Sequence, residues 1–222
     1  MTMTGNNRFT LTMICFGFVI AASVLIKQSA SSEQNEPKPE ITVRDYAQMN
    51  VAVEDVLKEM PEITEELERI HLGHIEDEME ELLSVTKAEF RIRVENNLTK
   101  QEHSAEFMRA MAEKETDRYV DALRIAREEY GIHVAEEEVT EFIKKNVANI
   151  RNKEKKNYAE ALGLTLYQLD YQFDRDFYVM DVLWERLTPI VMDEYPKQNG
   201  ESEQSHSQRI KEEFFSRVAE SE

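Results

Sequence analysis

Only one cysteine, six glycines and five prolines occur among the 222 residues. The cysteine, Cys15, has no second thiol to join, which excludes an intrachain disulfide and a cysteine-built zinc site. Scarce glycine removes the tight turns that sheets depend on, and with them any phosphate-cradling loop. Positive charge is short as well. Against 45 Asp and Glu stand 27 Lys and Arg, a formal net charge of −18. Such a field argues against general nucleic-acid binding, where a basic face must neutralise phosphates, and against polybasic attachment to anionic lipid. What is abundant is Glu, Lys, Arg, Ala and Leu, all good helix formers. At 41% hydrophobic residues the chain can build a core, so it is not a disordered acidic tail. The fold class expected is all-α: an irregular multi-helix domain behind an N-terminal transmembrane or signal helix.

One long uncharged run exists, from Phe9 to Ile26, bracketed by Arg8 and Lys27. As a helix it spans about 27 Å, close to the ~30 Å of a bilayer core. A cleaved signal peptide is the rival reading, but its apolar stretch is usually shorter and the adjoining KQSASS lacks a clean small-x-small site. The anchor is preferred, and both readings export the remainder of the chain. Arg8 before the span favours a cytoplasmic N-terminus and an extracytoplasmic bulk. The expected organisation is therefore a membrane anchor or signal over residues 1–27 and a Ser-, Gln- and Pro-containing tether over 28–40. A helical domain over 41–196 comes next, then a polar linker with an amphipathic helix over 197–222.

Helix punctuation is legible beyond Ile41. Thr42 with Asp45 suits a first helix start, interrupted at Pro61. Thr64 suits a second, carrying Leu67, Ile70, Ile75, Met79, Leu82 and Leu83. Thr86 with Glu89 reads as a capping box or as an exposed pair within one long helix, and Thr99 with Glu102 as a better box. Gly131 suits a C-cap, and Ala135-Glu136-Glu137-Glu138 an acidic helix start. Gly163 ends a short segment, and Thr165 with Gln168 opens the last long helix, expected to stop near Leu187 before Pro189.

Catalytic constellations are missing from the pattern. His71 and His74 come after Glu68, but the second ExxH that a di-iron bundle needs occurs only at Glu203 to His206, in a polar tail. His103 and His133 do not complete a metal set. No Gly-x-Ser-x-Gly elbow is present, and Glu76-Asp77-Glu78 reads as a solvated helix face. The expectation is a non-enzyme with no cofactor, metal or small-molecule substrate. A basic island breaks the acid: Lys144, Lys145, Arg151, Lys153, Lys155 and Lys156. It suits either pairing within the fold or an acidic partner, the former being preferred.

The last long helix carries Leu166, Leu169, Phe173, Phe177, Met180, Trp184 and Leu187 at steps of three and four, one continuous stripe that reads as core. Tyr167, Tyr171 and Tyr178 add an aromatic edge. Rings and methionine repack readily against varied apolar segments. Tyr167, Tyr171, Phe177, Tyr178, Met180 and Trp184 are thus the candidate peptide-binding residues.

Ala122 to Leu187 resembles the N-terminal, all-helical chaperone domain of the SurA and PrsA class of exported foldases. The resemblance is carried by Tyr130-Gly131-Ile132-x-Val134, by Glu136-Glu137-Glu138-Val139, by the Tyr158-Ala159-x-Ala161-Leu162-Gly163-Leu164-Thr165 turn, and by Trp184-x-x-Leu187. Ala159 departs from the pattern, standing where that turn would have a leucine. The resemblance implies a holdase-like domain that cradles unfolded or partner polypeptides outside the membrane. The residues after Leu187 are too few for the parvulin isomerase domain that comes next in those foldases, so isomerase activity is not implied. The alternative expectation is a scaffolding component of a cell-envelope complex with one fixed protein partner. Ile210, Phe214, Phe215 and Val218 give the tail an apolar face that would dock on the domain or on a partner.

Overall fold

The computed structural model describes residues 48–72 and 82–220. The apolar run Phe9–Ile26, the tether, the Thr42–Asp45 start, His74, Ile75, Met79 and Glu76-Asp77-Glu78 lie outside the described residues. Within them the chain is all-helical and no strand occurs.

The order is α1 (Met49–Glu59), α2 (Glu62–His71), α3 (Val85–Thr99), α4 (Ala105–Tyr130), α5 (Glu136–Phe142), α6 (Lys153–Ala161), α7 (Leu166–Gln168), α8 (Arg175–Glu194) and α9 (Glu203–Glu220). Two π-helical turns interrupt it, Ile143–Val147 after α5 and Leu169–Phe173 between α7 and α8.

Local chemistry sets most boundaries. Gly131 takes the left-handed φ of 64° that ends α4, and Ile132 N–H donates back to the Ala126 carbonyl at 2.9 Å. Thr165 and Gln168 form a reciprocal capping box: Gln168 N–H donates to the Thr165 hydroxyl at 3.1 Å, and Thr165 N–H to the Gln168 side chain at 3.0 Å. Ala135 precedes α5, its N–H donating to the Glu138 carboxylate at 3.0 Å.

Other expected starts move. Thr64 lies inside α2, because Pro61 already holds helical dihedrals just ahead of Glu62. Ser84, not Thr86, caps α3 by accepting from Lys87 N–H. Thr99 closes α3, its hydroxyl donating back to the Glu95 carbonyl at 2.7 Å, and Ser104 caps α4 instead. Serine competes for the backbone as well as threonine does, and the neighbouring chain chose between them. Pro189 does not stop α8, which runs through it to Glu194. Pro189 and Glu185 are not buried, so the carbonyl that proline leaves without a partner faces solvent.

Two apolar cores result. One gathers α1, α2, α3, α6 and the second π turn around Met49, Val53, Ile63, Phe90, Leu98 and Phe173. The other gathers α4, α5, α8 and α9 around Val139, Tyr178, Leu183, Leu187, Ile210 and Phe214. A small cluster of Ile92, Met108 and Ala112 joins α3 to α4. The run 166–194 belongs to both cores. Leu169 and Phe173 sit in the first, and the buried apolar residues from Tyr178 onward in the second. The π turn accommodates one extra residue at that crossing, with Asp174 N–H reaching back five residues to the Leu169 carbonyl at 2.8 Å. The single stripe expected from Leu166 to Leu187 is accordingly broken. Phe177 is half-buried, and the inward set after the turn is Tyr178, Val179, Met180, Val182, Leu183, Trp184 and Leu187.

Candidate polypeptide-binding surface and the charged junction beneath it

The six residues expected to bind polypeptide separate into three places. Tyr167 is 65% exposed and stacks on the half-buried Tyr171, ring centroids 4.5 Å apart and planes 20° from parallel. Phe177 lies under the Arg91 guanidinium, 3.9 Å from carbon to ring centroid. Tyr178, Met180 and Trp184 are buried in the second core. Of the six, only the Tyr167–Tyr171 pair presents an open aromatic surface to solvent, so the single aromatic edge is corrected to a two-ring platform. Tyr178 leaves the edge because the π turn rotates it inward, its ring 6.2 Å from Phe142.

Trp184 is covered by the chain's own tail. Helices α4 and α8 form an aromatic trough into which α9 lays Ile210, Phe214 and Phe215. Trp184 meets Phe214 and Phe215 edge-on, each at 5.3 Å. Tyr119 lies 5.9 Å from Phe215 and Tyr130 6.3 Å from Phe214. The Arg118 guanidinium covers one face of Phe215 at 4.2 Å. At the rim Arg217 pairs with Glu129 at 2.8 Å and Glu194 at 3.1 Å. Beneath α9, burial pushes the Asp181 carboxyl up to about 7 against the opposing pull of Lys211, itself lowered by burial. His206, expected in a polar tail, is 2% exposed and its Nε2 lies 2.7 Å from the Tyr195 carbonyl oxygen. The tail helix thus docks on α4 and α8, starting at Glu203.

Between the cores lies a network of buried charge that polar residue types on a helix do not announce. Arg91, on α3, donates to both carboxylate oxygens of Asp176 (2.7 and 2.9 Å), to Asp174 (3.1 Å) and to the Phe173 carbonyl (2.9 Å). Lys87, buried one turn earlier, stands 4.0 Å from Asp176. Burial pushes the Asp174 carboxyl up to about 6. Asp176 is buried too, but Arg91 and Lys87 outweigh burial and hold it below the ordinary carboxylate range. Nearby, Lys155 reaches inward from α6 to Asp170 (2.7 Å) and to the Val147 carbonyl (3.2 Å). That one side chain ties α6 to both π turns. Glu89, expected to cap or lie exposed, is buried and accepts from Arg93 at 2.6 Å and Arg109 at 3.2 Å.

A small recess opens beside the network, lined by Arg91, Glu115, Thr116, Tyr119, Asp176 and Phe177. Its volume of about 20 Å³ is room for one water, not for a substrate. Burial pushes Glu115 in its wall up to about 7. Among the described residues no three His, Cys, Asp or Glu side chains converge as metal ligands. His71 is exposed beside Gly163, His103 lies against Phe107 at 4.8 Å, and His133 is exposed. No described helix is long and apolar enough to cross a membrane, and Phe9–Ile26 is outside the described residues.

No family model matches this chain, and neither a curated protein nor a solved structure matches it.

Proposed function

We propose that the chain is a non-catalytic, polypeptide-binding helical domain of the SurA N-terminal type, held outside the membrane by its N-terminal segment. It would act as a holdase for non-native or partner polypeptides, without cofactor, nucleic acid or small-molecule substrate. The observation supporting this reading is the trough between α4 and α8. It receives an amphipathic helix through Ile210, Phe214 and Phe215, a helix-in-groove arrangement that other segments with the same apolar spacing can imitate. The chain's own α9 would then be the resident occupant that a client replaces.

The test removes residues 199–222 and measures binding of the labelled 199–222 peptide in trans, with aggregation suppression of an unfolded client. The shortened protein should bind the peptide and suppress aggregation better than the full chain. A full chain carrying Phe214→Ala and Phe215→Ala, which loosens α9 without exposing the entire trough, should fall between. Folded variants that neither bind the peptide nor protect a client would overturn the reading. The second reading, a scaffold with one fixed partner, is favoured by the closed state of the trough and by how little apolar surface stays exposed among the described residues. It requires stoichiometric capture of one protein where a holdase takes many.

A further inference from the structure

Among its described residues the acidic chain leaves a positive surface that it does not neutralise. Outside residues 144–156 the formal charge is −23, since that window holds six cations and one acid. Many arginines elsewhere have carboxylate partners: Arg109 with Glu113, Arg124 with Asp121, Arg186 with Glu138, Arg217 with Glu129. The island behaves differently. Lys155 turns inward to Asp170, and Lys144 pairs at the surface with Glu141 at 3.1 Å. Lys145, Arg151, Lys153 and Lys156 are exposed and form no ion pair among the described residues.

These four cations are held on a stiff base. The first π turn carries Lys145, the connector Arg151, and the first turns of α6 Lys153 and Lys156. The inward Lys155 joins α6 to Val147 of that turn and to Asp170 of the other. The second π turn also carries Tyr171, next in sequence to Asp170, and the two π turns pack against each other. The stacked Tyr167–Tyr171 pair therefore adjoins the island. An aromatic platform bordered by unneutralised cations suits a ligand that has carboxylates and at least one apolar side chain.

We propose that this face docks an acidic, aromatic-bearing polypeptide segment of a partner protein. Its carboxylates would meet Lys145, Arg151, Lys153 and Lys156 while an apolar side chain lies on the tyrosine stack. A polyphosphate chain or an anionic bilayer would extend past the island onto the negative remainder of the surface, within the ~8 Å reach of charge at physiological salt. A short peptide stops before that boundary. The surface is separate from the trough, so the proposal does not depend on α9 leaving.

The experiment uses the full-length protein in detergent, with anisotropy of a labelled acidic dodecapeptide containing two phenylalanines. Binding should weaken about ten-fold when Lys145, Lys153 and Lys156 are changed together to Glu, and it should fall with salt. Arg151→Glu should act in the same direction with a smaller loss. Tyr167→Ser should cost about three-fold, and only for the phenylalanine-containing peptide over its serine counterpart. These lysines are exposed and unpaired, so circular dichroism should be unchanged. Unaltered binding by the triple variant would overturn the proposal. So would tighter island-dependent binding of polyphosphate or phosphatidylglycerol vesicles, or self-association that charge reversal abolishes, which would make the occupant a second copy.

Discussion

The two cores are closed by opposite means. The core of α1, α2, α3 and α6 meets α8 through Arg91, Asp174 and Asp176, a contact of buried charge with fixed directions. The core of α4, α5 and α8 is closed by the rings of α9, with most of its charges at the rim. A guanidinium fork accepts only partners placed to receive it. An aromatic face accepts any segment of suitable spacing and volume. The first closure fixes how two elements meet, whereas the second, under the proposed function, would exchange its occupant.

The sharpest way to break this contrast is Arg91→Leu, which strands two carboxylates in the junction. A loss of about 3–5 kcal/mol is expected in urea unfolding at pH 7. Replacing Asp174 and Asp176 by Asn in the same background should recover part of it, and failure to recover would mean that Arg91 acts by packing alone. Next comes Phe214→Ala, expected to cost about 3 kcal/mol. Trp184 is the only tryptophan, so its emission should shift to the red as α9 loosens. Amide protection in α1 and α3 should stay unchanged, and an equal loss there would make the two cores one cooperative unit.

Acidity sharpens the comparison from another side. Asp174, Asp181 and Glu115 all have folded values above those of the unfolded chain, near 6, 7 and 7. The folded state therefore holds more protons. Their contribution to stability is fullest in acid, below the unfolded carboxylate range, and is lost as pH climbs through about 6 to 7. A lower thermal midpoint at pH 8 than at pH 5.5 is expected, with Asp181 and Glu115 contributing more of the change than Asp174. Asp181→Asn should flatten the part that belongs to the α9 side; a midpoint higher at pH 8 than at pH 5.5 would contradict the assignment. Asp176, held low by Arg91 and Lys87, contributes in the opposite sense and only in stronger acid. The smallest effect is Ser104→Ala, about 1 kcal/mol for the lost cap of α4, where Thr99→Val should change less.

How much of the molecule is readable from its residues depends on the range of the force involved. Gly131, Gly163 and the Thr165–Gln168 box are legible because each acts within a few residues. The all-helical class comes from composition in the same way. The contest between Ser104 and Thr99, or Ser84 and Thr86, is decided by which residue stands where the chain turns, a tertiary outcome. Arg91, Asp174 and Asp176 are invisible as a site because charged residues on a helix ordinarily face water, and their burial depends on α3 meeting α8 more than eighty residues later. Tyr167, Tyr171 and Tyr178 form one edge only if the 3.6-residue period is unbroken. The π turn breaks it, leaving Tyr167 and Tyr171 outside and drawing Tyr178 in. Trp184 is hidden by a tail whose docking face is already visible in Ile210, Phe214 and Phe215.

That π turn gives the chain a counting rule. Each residue advances a helix by about 100°. One residue added to an unbroken helix swings everything after it by that angle, and the wide turn absorbs the swing. Deleting one residue between Leu169 and Phe173 should therefore give ordinary helix and leave α8 facing its core. The same deletion inside α8 has no slack to use and would turn Leu187 and Val191 out of the second core together. The extra residue is thus a store of phase between two interiors, and a deletion at the turn should be far better tolerated than one a few residues later.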